Sequence, residues 1–176
     1  MAIAAVILFA GCDKIKDATR FDVTVKNASF TFDAPVEDAV LRSAVNTQAT
    51  DWNTFSVIRT IKSSEISAEL EKYGNKVSDV IANASTVHIS CSQAGNYTVT
   101  DLSFSYSGGT LSIPSYTLGG TFVPPSGLNA FISLFALKLF TTGEVEVTVS
   151  GKTDAPAGTA ISIRYENELV ATVNPL

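Results

Sequence analysis

The segment Thr86-Val87-His88-Ile89-Ser90-Cys91-Ser92 alternates apolar and polar side chains along its length. Successive side chains of a β-strand point to opposite faces of a sheet, so this pattern predicts a strand with one buried and one solvated face. Cys91 lies in phase with Val87 and Ile89, which predicts a small buried structural thiol. His88 has the opposite phase, and we therefore expect it on the solvated face.

The same alternation recurs through most of the chain, at 21–32, 52–62, 97–106, 111–113, 145–149 and 161–165. Changes of phase near Asn27-Ala28 and Thr100-Asp101 indicate β-bulges, or at the first position a turn between two strands. Pro35 is expected to end the first run, and residues 36–51 to form a long connection. Short strands with frequent turn residues and no alternation of strand and helix predict a mainly β protein, an antiparallel β-sandwich.

Two short helices are predicted within this pattern. Ile66, Leu70 and Tyr73 form an apolar stripe at spacings of four and three, which predicts an amphipathic helix near 64–73. Ser63 or Ser64 would cap its beginning, and Gly74 would end it. Residues 77–81 continue the apolar pattern for a further turn before the chain returns to strands.

The second predicted helix, near 127–138, is apolar on nearly every side and carries only one charge, Lys138. A helix of this kind is usually buried, and a strand is expected to follow it from about Ala136. The whole apolar segment, residues 126–140, would span about 22 Å as a helix, which is less than the roughly 30 Å hydrocarbon core of a membrane. Alternatively, the helix is the wall of a cavity for an apolar ligand, or a dimerisation surface. The cavity would be lined by Phe131, Ile132, Phe135 and Phe140.

An uncharged apolar run from Ala2 to Gly11 precedes Cys12 at the beginning of the chain. The run is too short for a membrane helix and has the length of the apolar part of a signal peptide, which ends at small residues. Leu8-Phe9-Ala10-Gly11-Cys12 resembles the lipobox of bacterial lipoproteins, from which Phe9 departs. This resemblance implies that Cys12 carries the lipid and becomes the mature N-terminus. The positively charged beginning of a signal peptide is missing, because no Lys or Arg precedes Lys14. A longer signal peptide, in which Met1 is an internal residue, would account for this.

These observations divide the chain into a signal peptide at 1–11, a lipidated cysteine with its tether at 12–20, and one β-sandwich domain at 21–176. The strand pattern resembles the immunoglobulin-like domains of small envelope lipoproteins of Bacteroidetes-type bacteria. The likeness is one of pattern over the mature chain, since the paired cysteines and central Trp of antibody-type domains are absent. It implies a lipid-anchored protein of the bacterial cell envelope, at the outer membrane or the periplasmic face.

Charge and residue types argue against several functions. The net charge of −5 and the pI near 4.8 do not favour nucleic-acid binding. With His88 as the only histidine, neither a Ser-His-Asp triad nor a zinc cluster is expected. The pairs Glu144/Glu146 and Glu166/Glu168 each share one face of a strand, as solvated residues commonly do. We expect no enzyme activity, no metal and no cofactor.

The expected function is therefore non-catalytic binding or scaffolding. Trp52 and Tyr116 adjoin irregular segments where an aromatic ring can contact a protein or a glycan. A binding module predicts exposed aromatic rings, and a carrier of an apolar ligand predicts a cavity beside the 127–138 helix. A fimbria-like assembly subunit predicts an unpaired edge strand or a donated terminal strand.

Overall fold

A computed structural model describes residues 20–38 and 52–175 of the chain. The strands are β1 (Phe21–Glu37), β2 (Asn53–Lys62), β3 (Val77–Cys91), β4 (Thr98–Tyr106), β5 (Gly109–Ile113), β6 (Tyr116–Thr117), β7 (Glu144–Thr153) and β8 (Ala160–Val173). The helices are α1 (Ser63–Ile66), α2 (Ala68–Glu71) and α3 (Leu128–Thr142), with a 3-10 turn at Gly74–Lys76. The prediction of a mainly β, antiparallel protein is confirmed.

The strands form one curled sheet in the order β3-β8-β1-β2-β7-β4-β5, and β6 also pairs with β4. β1 pairs with β8 through Pro35, but with β2 only at Val36 and Glu37. The sheet consequently has two halves that are joined at one corner. Phe104 of β4 contacts Tyr165 of β8 across the interior, with ring centroids 5.0 Å apart. The sheet is thus curled into a half-barrel, with its core between the two halves.

Helix α3 packs against β3 on the inner side of the half-barrel. Its apolar stripe continues through Leu139 and Phe140, which are buried, and the helix ends at Gly143 with a φ of 85°. The predicted apolar helix is therefore present and longer than expected, and the predicted strand from about Ala136 is wrong. Leu134 on its other side is 61% exposed. Within 20–38 and 52–175, no helix is long and apolar enough to cross a membrane.

The predicted amphipathic helix over 64–73 is wrong as a single element, because the chain is extended at Ser67. The Ser67 hydroxyl accepts a hydrogen bond from the Leu70 amide and begins α2 as a new turn. The apolar residues 77–81 belong to β3 and do not form a further helical turn.

Pro35 does not end the first strand, which continues to Glu37. The Val36 amide donates to the Thr159 carbonyl, on the β8 side. Because backbone groups alternate in direction along a strand, the nitrogen of Pro35 points away from β8. β2 begins to pair only at Val36, and no hydrogen bond of the sheet is lost at the proline.

Both predicted changes of phase are β-bulges. Asn27 and Asp101 adopt left-handed backbone conformations there, with φ of 57° and 53°. Asn and Asp tolerate this conformation better than most residues. A third bulge, in β3, contains Ala84 with a φ of 50°, and the sequence did not indicate it.

The interior is dominated by aromatic rings. Tyr165 is fully buried and stacks on Phe30, with ring centroids 5.1 Å apart. Its hydroxyl has no hydrogen-bond partner among the described residues. Burial raises the pKa of this phenol because the charged form would be poorly solvated.

Candidate functional site

The residues predicted to line a cavity beside α3 lie against the aromatic core. Ile132, Phe135 and Phe140 are each 1% exposed. The ring of Phe135 is 5.4 Å from that of Phe30 and 5.5 Å from that of Phe104. These contacts favour a packing role for this face of the helix, and the apolar-ligand carrier stays a prediction.

Phe131 is half-buried near the beginning of α3 and packs edge-on against Phe104 and Tyr106, at 5.4 Å from each ring centroid. Burial raises the pKa of the Tyr106 hydroxyl, because its ionised form would be poorly solvated in these surroundings. Both rings thus extend the aromatic core towards the sheet edge formed by β5.

The structure does not bring Trp52 and Tyr116 together. Trp52 is half-buried and precedes β2, whereas Tyr116 lies in β6, and β7 and β4 separate these two strands. The Tyr116 hydroxyl donates to the Gly120 carbonyl at 2.9 Å, and its ring packs edge-on against Phe122 at 5.5 Å. Of the two predicted binding aromatics, Tyr116 is therefore the one held within an aromatic cluster.

Tyr116 lines a surface groove of about 340 Å³ that we call the edge groove. One wall is formed by residues 86–89 of β3, and the other by Tyr116, Gly120, Phe122 and Pro124. The hydrogen bond from Tyr116 to Gly120 and the proline at 124 restrict the backbone of the second wall. β3 is one end of the sheet order, and β6 lies with β5 at the other end, so the edge groove separates the two ends of one sheet.

His88 is the only basic side chain in the lining of the edge groove. Its side chain is 62% exposed, which confirms the predicted solvated face, and its Nε2 lies 3.3 Å from Glu166. Glu166 also accepts from Arg164 at 2.8 Å. Cys91, at the end of the same strand, is half-buried and forms no disulfide with another described residue. Within the described ranges, no three His, Cys, Asp or Glu side chains cluster as metal ligands.

Sequence reasoning missed Phe122, Pro124 and the groove wall on β3. The available signal was the segment Gly119-Gly120-Thr121-Phe122-Val123-Pro124-Pro125, in which turn residues flank an aromatic ring. The predicted lipidation site, Cys12, lies outside the described residues. The chain matches no protein family model, no curated protein and no solved structure.

Proposed function

We propose that this protein is a lipid-anchored, non-catalytic binding module of the bacterial cell envelope. Cys12 carries the lipid, residues 13–20 form the tether, and the edge groove is the binding surface. The observation that supports binding most directly is the groove itself, with the Tyr116 and Phe122 rings in one wall. Aromatic side chains supply a large contact area at a low entropic cost, which makes them frequent anchors in binding sites.

The immunoglobulin-like sandwich is the finer description that we propose for the domain. It is supported by the contact between its two halves, in which Phe104 meets Phe32 and Tyr165 across the interior. Sandwich cores form in this way from inward-facing residues of two facing sheets.

A fimbria-like assembly subunit is the second candidate. It is favoured by the position of β3 at the end of the sheet, where the strand pairs with β8 alone among the described strands. An open edge of this kind can accept a strand from another chain.

The binding surface is tested with random linear peptides displayed on phage. The peptides are selected for binding to the full chain in detergent. Phe122→Ser removes a ring from the groove wall and is expected to weaken the selected peptides about tenfold or more. Val123→Ser is the matched control, because Val123 is 73% exposed on the same loop and does not line the edge groove. Peptides that bind both variants equally, or no enrichment at all, would contradict the proposal. Thermal unfolding of each variant verifies its fold.

A further inference from the structure

On the edge of β3 that faces away from β8, the direction and the partner of each backbone amide can be assigned. The Ser92 amide donates to the Ala160 carbonyl at 2.9 Å, so Ser92 points towards β8. Backbone groups alternate in direction along an antiparallel strand, and the pairing between residues 86 and 91 has no bulge. The amides and carbonyls of Val87, Ile89 and Cys91 consequently point away from β8.

The earlier part of this edge has side-chain partners. The Val80 amide donates to the carboxylate of Asp79, and the Ala82 amide donates to Ser133 Oγ of α3 at 2.8 Å. The Ser85 amide donates to Asn129 Oδ1 of α3 at 3.1 Å. The next three outward amides, at Val87, Ile89 and Cys91, have no such partner among the described residues. Helix α3 therefore covers the first half of the edge and leaves the second half free.

The free half also lacks the features that usually prevent strand pairing. Edge strands are commonly protected by charged side chains, above all Lys, or by Pro. Residues 84–92 contain no Lys, Arg, Asp, Glu or Pro. His88 is the only basic side chain in this segment, and its Nε2 lies 3.3 Å from Glu166 of β8.

The edge groove lies along this free half of β3, where the two faces of the strand differ in polarity. Val87 and Ile89 share the inner face of β3, towards the core, and Thr86 and His88 lie on the exposed outer face. The inner side of the groove is uncharged, because its other wall consists of Tyr116, Gly120, Phe122 and Pro124. A charged side chain placed there would lose its hydration without gaining a partner, so only uncharged apolar side chains match this lining.

We propose that the edge groove binds an extended peptide segment as an added strand of the sheet. The peptide pairs with the outward backbone groups of Val87, Ile89 and Cys91, and places uncharged apolar side chains at alternate positions against Tyr116 and Phe122. The proposal rests on the edge groove being the binding surface, and it adds the class of ligand. Backbone hydrogen bonds supply affinity in this mode, and the alternate side chains supply specificity.

Amide hydrogen exchange measured by NMR on the full chain in detergent tests strand addition. The probe is a synthetic peptide of alternating Val and Thr with a Lys at each end. Its control is the same peptide with methyl groups on all backbone nitrogens, which keeps the side chains and removes the donors. Saturating probe is expected to slow exchange at Val87, Ile89 and Cys91 about tenfold or more. The amides of Ala82 and Ser85, already bonded to α3, are expected to change little.

Three results would overturn strand addition. The first is probe binding that leaves exchange at Val87, Ile89 and Cys91 unchanged. If such binding is lost in Phe122→Ser, the edge groove stands as the binding surface and only the added strand fails. The second is equal protection by the methylated peptide. The third is protection that grows with protein concentration in the absence of probe, which would identify a second copy of this chain as the occupant.

Discussion

The hydroxyl of Tyr165 is a polar group in an apolar site. Its side chain is fully buried among aromatic rings, and the hydroxyl oxygen has no partner among the described residues. A buried polar group without a hydrogen bond lowers stability by about 1 to 3 kcal/mol, because it gives up its hydration. The alternation of Ile161, Ile163 and Tyr165 predicted a shared face, but it could not show whether the hydroxyl would find a partner.

Tyr165→Phe is therefore expected to stabilise the protein by about 1 kcal/mol near neutral pH. The pKa of Tyr165 is raised on folding, so above about pH 10 the unfolded chain ionises first. Stability of the natural chain should then fall with pH, by up to about 1.4 kcal/mol per pH unit from this residue. The variant should lack that part of the slope. Urea unfolding across this pH range measures both effects.

Tyr116→Phe is the matched control for this change. It removes a hydroxyl that does have a partner, the Gly120 carbonyl, and is expected to lower stability slightly. A Tyr165→Phe variant that is less stable than the natural chain near neutral pH would contradict the prediction.

Single residues were predictable where their type limits their conformation. Asn27 and Asp101 stand at changes of phase and belong to the residue types that tolerate a left-handed backbone. Ala84 adopts the same conformation in the third bulge, but alanine has no side chain that favours it. The bulge there follows from the pairing of β3 with β8, which the local sequence does not specify.

At the scale of elements, α3 and β3 depend on each other through side-chain hydrogen bonds. Asn129 and Ser133 lie one turn apart on α3 and accept from the Ser85 and Ala82 amides of β3. This spacing places both side chains on the same face of the helix. The helix thus protects a strand edge in addition to filling the core.

Asn129→Ala and Ser133→Ala are each expected to lower the free energy of unfolding by about 1 kcal/mol, because each leaves one β3 amide without its partner. Hydrogen exchange should accelerate at Ser85 in the first variant and at Ala82 in the second. Thr141→Ala is the control on the same helix, since Thr141 bonds only to carbonyls of α3. Equal effects of all three variants on the β3 amides would contradict this account.

The sequence predicted elements best where one strong pattern dominates. The long apolar run predicted α3, and its end was misjudged because an apolar segment fits both a helix and a buried strand. The stripe at Ile66, Leu70 and Tyr73 predicted one helix, but Ser67 begins a second turn. Serine occurs both within helices and at their caps, so the break could not be predicted from its identity.

At the scale of the whole molecule, the order of the strands in the sheet could not be predicted from the sequence. Alternation shows which side chains share a face, and it does not show which strands are neighbours. β1 pairs with β8 at the far end of the chain, and only the assembled sheet brings residues 86–89 opposite Phe122. For this reason the aromatic Tyr116 was predicted as a binding residue, while the wall facing it was not.

The position of the molecule in the cell is tested through Cys12. Expressed in a bacterium with lipoprotein-processing enzymes, the full chain is expected in the membrane fraction, with lipid attached to Cys12. Cys12→Ser should move it to the soluble fraction and remove the lipid mass. Cys91→Ser is the matched control and should remain in the membrane. A Cys12→Ser variant that stays membrane-bound would contradict lipid anchoring.

The curled sheet brings its two ends, β3 and β6, to the same groove. Open strand edges are where folded proteins recruit further chains into aggregates, and residues 84–92 contain no Lys, Arg, Asp, Glu or Pro to prevent this. The surface that suits the molecule for holding a strand is therefore also its weakest point against uncontrolled self-association. A peptide bound in the groove would therefore also protect the protein from precipitation.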